Sequence, residues 1–291
     1  MHAERRQVLD QAGRPGADKT GCRALDRNLL ERACSSATLL CSTLAPLMIT
    51  VQFVGSGDAF GSGGRLQAAI SLRNASTHVL LDCGTSSLIG LARLGLAPTS
   101  IDAVLVSHLH GDHFGGIPFL VLHQQFARRE RPLLLVGPPG LRNRVMEAME
   151  VLFPGSSQIE RRFELQITEL NERVSTAVGP LEVIAYPVAH ASGAPSYGLR
   201  VIFDNKIVAY SGDTKWTDAL IELADGADLF ICEAYVFERS VKYHLSYAKL
   251  VEQRSRLRAK RLVLTHMSAD MLNRRGEVDA ELAEDGLTLT I

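Results

Sequence analysis

Residues 108–113 read His-Leu-His-Gly-Asp-His and follow directly on an apolar run, residues 103–106, with further glycines at Gly115 and Gly116. Five of the chain's nine histidines lie in this hexapeptide or just past later apolar runs, at His190 and His266. Side chains along a strand alternate with period two, so a His-x-His pair at a strand end puts both imidazoles on one side. His108 and His110 are therefore expected to grip one ion. The chain then turns at Gly111, which aims Asp112 and His113 at a second position about 3.5–4 Å from the first, the separation at which two metals share a substrate. Neutral imidazole and carboxylate suit zinc, manganese or iron, and the hexapeptide offers no thiolate. The expected cofactor is thus a pair of divalent ions, zinc before manganese or iron.

Three later apolar runs each end in a candidate ligand. Residues 183–188 deliver His190, residues 206–210 deliver Ser211-Gly212-Asp213-Thr214, and residues 262–265 deliver His266. Each has a plainer reading, since Asp213 could cap a helix that starts near Trp216 and a lone histidine after a strand is often a surface residue. Their joint order, His, Asp, His, favours ligation. The expected assignment is His108, His110 and His190 on one metal, Asp112, His113 and His266 on the other, with Asp213 between them.

This set resembles the metallo-β-lactamase superfamily, whose H-x-H-x-D-H signature, later His, bridging Asp and final His all have counterparts here. The resemblance covers residues 48–291 and implies an α/β fold, an αββα four-layer sandwich with the metals at one edge. It constrains substrate much less, because that fold hosts lactamases, thiolesterases, lactonases, nucleases and oxidoreductases.

Composition excludes several classes. At 291 residues and 46% apolar, the chain can bury a full core, and a net charge of −1 gives no general attraction to nucleic acid or anionic membrane. No apolar run reaches the roughly 18 residues that span a bilayer. Three of the five cysteines, Cys22, Cys34 and Cys41, lie near the N-terminus, while Cys83 and Cys232 sit singly in apolar segments. That is no disulfide framework, and it suits a cytoplasmic protein. Residues 1–47 lack periodicity apart from a short apolar patch at 37–47, and Met48 opens a strand and a Gly-rich turn. Residues 1–47 are therefore expected to form a poorly ordered extension, or Met48 to be the true start, with residues 48–291 forming the hydrolase domain.

From Met48, strands are expected at 49–54, 67–73, 77–82, 103–107, 132–136, 163–170, 181–188, 197–204, 206–211, 228–232, 261–265 and 287–291. Helices are expected at 86–94, 115–128, 140–152, 216–224 and 246–258.

The branch of the superfamily is narrowed by what surrounds the ligands. The commonest class B lactamases place a Cys where Asp213 stands, and Cys232 reads as core. Glyoxalase-type thiolesterases need a C-terminal helical region, whereas residues 267–291 look like one turn and a closing strand. Glu233-Ala234-Tyr235 follows one strand, and His244-Leu245-Ser246 opens the next helix. This resembles the ribonuclease Z branch of phosphodiesterases, where such a Glu pairs with a His that acts beside the metals. A carboxylate raises the basicity of an imidazole, so His244 is expected to be charged at neutral pH and to protonate a leaving alkoxide. The plainer readings are Ser246 as a helix cap, Glu233 as a surface residue and His244 as a solvated one.

True tRNA-processing members insert a long arm between the third-motif His and the bridging Asp; here residues 191–212 suffice only for a hairpin. Arg128, Arg129 and Arg131, and Arg254, Arg258 and Arg261, read as ordinary solvated faces rather than a replacement. The reading is a dinuclear-metal phosphodiesterase for a small or cyclic phosphodiester, in which the ions activate a hydroxide, Asp112 orients it, and His244 steadied by Glu233 acts as acid. Ser107 and Thr265 are expected to support the ligands, and Arg65 to reach a substrate anion. The alternatives are a tRNA 3′-processing endoribonuclease of the ribonuclease Z type, a lactonase or arylsulfatase-like esterase, and a non-catalytic metal-binding protein. The expected partner is a small phosphodiester or RNA, with no membrane, and the chain is compatible with a homodimer.

Overall fold

The computed structural model describes residues 48–291. The expectations for residues 1–47, including the 37–47 patch and three of the cysteines, lie outside the described residues. The first half of the described chain builds strands β1 (Thr50–Gly55), β2 (Ala69–Arg73), β3 (His78–Leu81), β4 (Ala103–Leu105), β5 (Leu133–Gly137) and β6 (Leu165–Glu169). Helices α1 (Ser87–Arg93), α2 (Gly111–Phe114), α3 (Ile117–Phe126) and α4 (Leu141–Leu152) interrupt them. The second half adds β7 (Ser175–Val178), β8 (Leu181–Pro187), β9 (Tyr197–Phe203), β10 (Lys206–Tyr210), β11 (Leu229–Glu233), β12 (Leu262–Thr265), β13 (Glu281–Leu282) and β14 (Thr288–Thr290). Its helices are α5 (Ala219–Ala224), α6 (Tyr247–Gln253) and α7 (Ala269–Asn273).

Two seven-stranded sheets result, in the orders β14-β1-β2-β3-β4-β5-β6 and β13-β12-β11-β10-β9-β8-β7. In the first sheet β1, β2 and β3 pair antiparallel, then β3 to β6 run parallel. The second repeats the plan, with β7 to β10 antiparallel and β10 to β13 parallel. β4, β5, β11 and β12 are nearly continuous apolar runs because each buries both faces, whereas the parallel edge strands β6 and β13 are partly exposed. Ala103 and Leu105 face a core shared with Val183, Val201, Val208 and Ile231 of the other sheet. Val104 and Leu135 face outward under Leu120, Leu141 and Val145 of the helices, and Phe230 and Leu264 do the same under Leu223 and Leu250. The layers are therefore helix, sheet, sheet, helix, as the resemblance implied.

This topology sends the C-terminal ends of β1, β3 and β4 to one edge of their sheet, and those of β8, β10, β11 and β12 likewise in the second. Every candidate site residue lies at or beyond one of those strand ends. Two short strands, β7 and β13, and two short helices, α2 and α7, were not expected from the pattern. β7 is largely exposed and β13 is half-buried, so neither shows the alternation that marks a half-buried strand. Both occupy an edge position in their sheet.

Candidate metal and acid–base site

β4 stops at Leu105, so His108 and His110 lie on the loop beyond it rather than on the strand itself. Their convergence comes from loop shape and not from strand pleat, which corrects the expected strand over 103–107. The His108 and His110 rings stand 4.9 Å apart, and His190, carried past the end of β8, sits 4.7 and 4.8 Å from them. One nitrogen from each of the three lies within 4.8 Å of the others. Gly111 begins α2, whose first turn presents Asp112 and His113 to a second group completed by Asp213 and His266.

Asp213 reaches both groups. Its Oδ2 lies 3.1 Å from His266 Nε2, 3.9 Å from His108 Nε2 and 4.0 Å from His190 Nε2, and its Oδ1 lies 3.3 Å from His113 Nε2. The residue before it must be glycine: Gly212 has φ +56°, and a Cβ there would stand 2.9 Å from Cβ of Ser107. His266 also takes a left-handed backbone, φ +57°, held by its N–H donating to Ser56 O at 3.1 Å. A non-glycine residue in that region signals a position fixed by its surroundings.

The residues present fit a pair of cations. His108 Nε2, His113 Nε2 and Asp213 Oδ1 are buried and make no hydrogen bond, which is costly for polar atoms without a ligand. The tautomers agree, because His113 Nδ1 lies 2.7 Å from Asp82 Oδ2 and His190 Nδ1 lies 3.0 Å from Tyr243 O. Each of those nitrogens then donates, leaving the Nε2 lone pair aimed inward. Electrostatics point the same way. Burial alone would raise the Asp213 carboxyl and lower the His113 and His266 imidazoles, yet the His residues hold Asp213 well below the usual range and the carboxylates hold His113 and His266 up. The cluster thus draws positive charge into itself.

Asp82, at the end of β3, is a residue that the sequence reading missed. It has φ +58°, is fully buried, and accepts from Ser107 N and Oγ at 2.7 and 2.8 Å, from His113 at 2.7 Å and from Tyr210 Oη at 2.8 Å. Its signal was available, since it too ends an apolar run. Ser107 therefore supports the ligands through Asp82 and through His108 Nδ1 at 3.0 Å. Thr265 makes no side-chain contact with a ligand side chain; its hydroxyl donates at 3.3 Å to Ser56 O, the same carbonyl that accepts from His266 N. Arg65 packs toward Glu284, at 3.5 Å, and lines a different cavity. Asp82→Asn should lower stability by about 2–4 kcal/mol, because its amide would face buried donors, and should weaken metal binding by about 10–100-fold. Thermal unfolding and a metal titration check this; unchanged values in both would show Asp82 to be dispensable.

Glu233 is the last residue of β11 and fully buried. Its Oε2 accepts from Thr214 N at 2.9 Å and Leu245 N at 3.0 Å, and its Oε1 pairs closely with His244 Nδ1. Tyr235 stacks on the His244 ring with centroids 4.4 Å apart. Burial and the neighbouring Asp213 push the Glu233 carboxyl well up, while burial pushes His244 down. Desolvation thus opposes charge on both partners. Ser246 caps α6, its Oγ accepting from Lys249 N at 3.2 Å. Cys232 is a core residue, fully buried. Tyr243, also unanticipated, takes φ +68° to turn its carbonyl toward His190.

A family model described as Anti-Pycsar protein Apyc1 matches residues 49–286. The chain belongs to this family. Ribonuclease Z of Anoxybacillus flavithermus is similar to it at 27% identity over 295 residues, covering 81% of this chain and 91% of that one. Among solved structures, the short form of human tRNase Z (ELAC1) superposes with a TM-score of 0.67 at 27% identity, covering 82% of this chain and 98% of that one. The metallo-β-lactamase fold protein YhfI of Bacillus subtilis, at 19% identity and a TM-score of 0.69 over 84% of this chain and 100% of that one, shares the fold. This member of the Apyc1 family is thus a ribonuclease Z-like protein of the metallo-β-lactamase superfamily, a metal-dependent hydrolase.

Proposed function

We propose that the protein is a dinuclear-metal phosphodiesterase acting on a small or cyclic phosphodiester, such as a cyclic nucleotide. The observation that carries this reading is His244, which lines the same cavity of about 330 Å³ as His110, Asp112, Asp213 and His266 and is paired with the buried Glu233 behind it. Two ions held by the seven His and Asp residues would supply Lewis acidity to a phosphoryl oxygen and lower the pKa of water toward neutrality. The chain's own part is to place groups. Asp112 orients the attacking water on one side of the phosphorus. His244 faces the departing oxygen from the other, gives up the proton it holds, and is kept in register by Glu233 and the Tyr235 stack. A lactone site would have no need of such an acid.

Size supports a small substrate. β9 and β10 occupy most of the chain between His190 and Asp213. Of the six arginines singled out in the sequence, four are engaged elsewhere: Arg131 with Asp102, Arg258 with Asp225, Arg261 with Glu281, and Arg129 in the protein interior. The family name adds a role in opposing Pycsar, which this reading adopts. tRNA 3′-end processing is the second reading, favoured by the match to ribonuclease Z along most of both chains.

Turnover of bis-p-nitrophenyl phosphate, a cyclic nucleotide, a precursor tRNA, a lactone, a thioester and a nitrocefin-type lactam, each with added zinc and manganese, separates these readings. The expected result is hydrolysis of the two small diesters. Preference for the lactone or thioester would overturn the proposal, and cleavage of the precursor tRNA with inert cyclic nucleotide would install the second reading.

A further inference from the structure

Phe60 is 84% exposed, the most exposed of the large apolar side chains among the described residues, and it lines the mouth of the 330 Å³ cavity. Its exposure is built in. Asp58, only 1% exposed, accepts from Phe60 N at 3.2 Å, Ser62 N at 2.9 Å and Ser62 Oγ at 2.7 Å, and Gln67 Nε2 donates to Ala59 O at 3.1 Å. Gly61 and Gly63, with φ +68° and +67°, complete a turn that most other residues would strain. Such a loop holds an apolar ring in water beside the site rather than folding it away. The other side chains around the cavity are engaged: His110, Asp112, Asp213 and His266 in the ligand groups, His244 with Glu233, and Tyr235 against His244. Phe60 alone offers a planar face with no partner among the described residues.

We propose that Phe60 is the platform on which the base of a nucleotide substrate stacks while its phosphodiester lies among the His and Asp residues. The inference rests on the phosphodiesterase reading and adds to it the residue that holds the base. Stacking suits this position because every base has a π face, and one contact of this kind is worth about ten- to a hundredfold in binding.

The test compares adenosine cyclic monophosphate with a methyl riboside cyclic phosphate that lacks the base, using metal-loaded parent, Phe60→Ala and Phe60→Trp. The ratio of kcat/KM between the two compounds should fall about tenfold or more in Phe60→Ala, mainly through KM, and should persist in Phe60→Trp. An unchanged ratio in Phe60→Ala overturns the proposal, and so does a change confined to oligomeric state. If the parent hydrolyses neither compound, the phosphodiesterase reading falls. Equilibrium binding of adenosine monophosphate against ribose phosphate then decides: a preference for the base that is lost in Phe60→Ala upholds the platform, and a preference equal in both proteins, or none, removes it.

Discussion

Asp213→Ala should reduce bound transition metal from about two equivalents per chain and abolish turnover of every substrate. Both donor groups lean on this carboxylate, with His266 and His113 within 3.1 and 3.3 Å and His108 and His190 near 4 Å. Losing it removes the only negative charge among the described residues that is common to the two positions. Lewis-acid stabilisation is worth several kcal/mol, and at about 1.4 kcal/mol per tenfold the loss in rate should exceed about 10³. Elemental analysis of the purified protein and a rate measurement check both halves. Asp213→Asn, which keeps the shape, should fail nearly as badly, because the charge is the missing quantity. The ligand nitrogens must also be unprotonated to bind a cation. Since the carboxylates hold the His113 and His266 imidazoles up, metal affinity should weaken as pH falls through their raised values. Full activity in a chelator-stripped protein would end the metal-dependent reading.

Four of the residues that were legible in the sequence share one property: each is a polar residue placed just after an apolar run. A strand end is where a β-rich fold sets down its functional groups, so His108, His190, Asp213 and His266 could be read from local pattern alone. Asp82 fits the same pattern, but its importance depends on three elements meeting. Tyr210, which donates to it, is 128 residues away, and no local rule connects them. Tyr243 is harder still, because nothing in its neighbours announces a left-handed backbone, and its contribution is a carbonyl rather than a side chain. The balance of charge between His244 and Glu233 is hidden for a related reason. Pairing with a carboxylate is visible in sequence, whereas burial, which opposes charge on both partners, is a property of the folded chain.

His244→Ala separates chemistry from metal binding. His244 stands beside the ligand groups but belongs to neither of the two that Asp213 joins, so the variant should keep its metal. Turnover of a diester with a poor leaving group should slow by about 10²–10⁴, the usual worth of a positioned acid. The loss should shrink when the leaving group is p-nitrophenolate, whose departure needs little proton transfer. Glu233→Gln should slow the same reaction less, because His244 stays in place, but it should also destabilise the protein by about 1–3 kcal/mol. Glu233 accepts from Thr214 N, Leu245 N and His244, and an amide cannot accept all three without turning its own N–H groups toward a donor. The pattern to look for is therefore a split. In His244→Ala the rate should depend steeply on the leaving group while metal content stays constant, and in Glu233→Gln a lowered melting temperature should accompany a milder rate defect. Equal rates for good and poor leaving groups in parent and His244→Ala would show that His244 transfers no proton. The sandwich and its metal cluster would be untouched by that result, and an esterase or lactonase acting at the same cavity would become the better account of the enzyme.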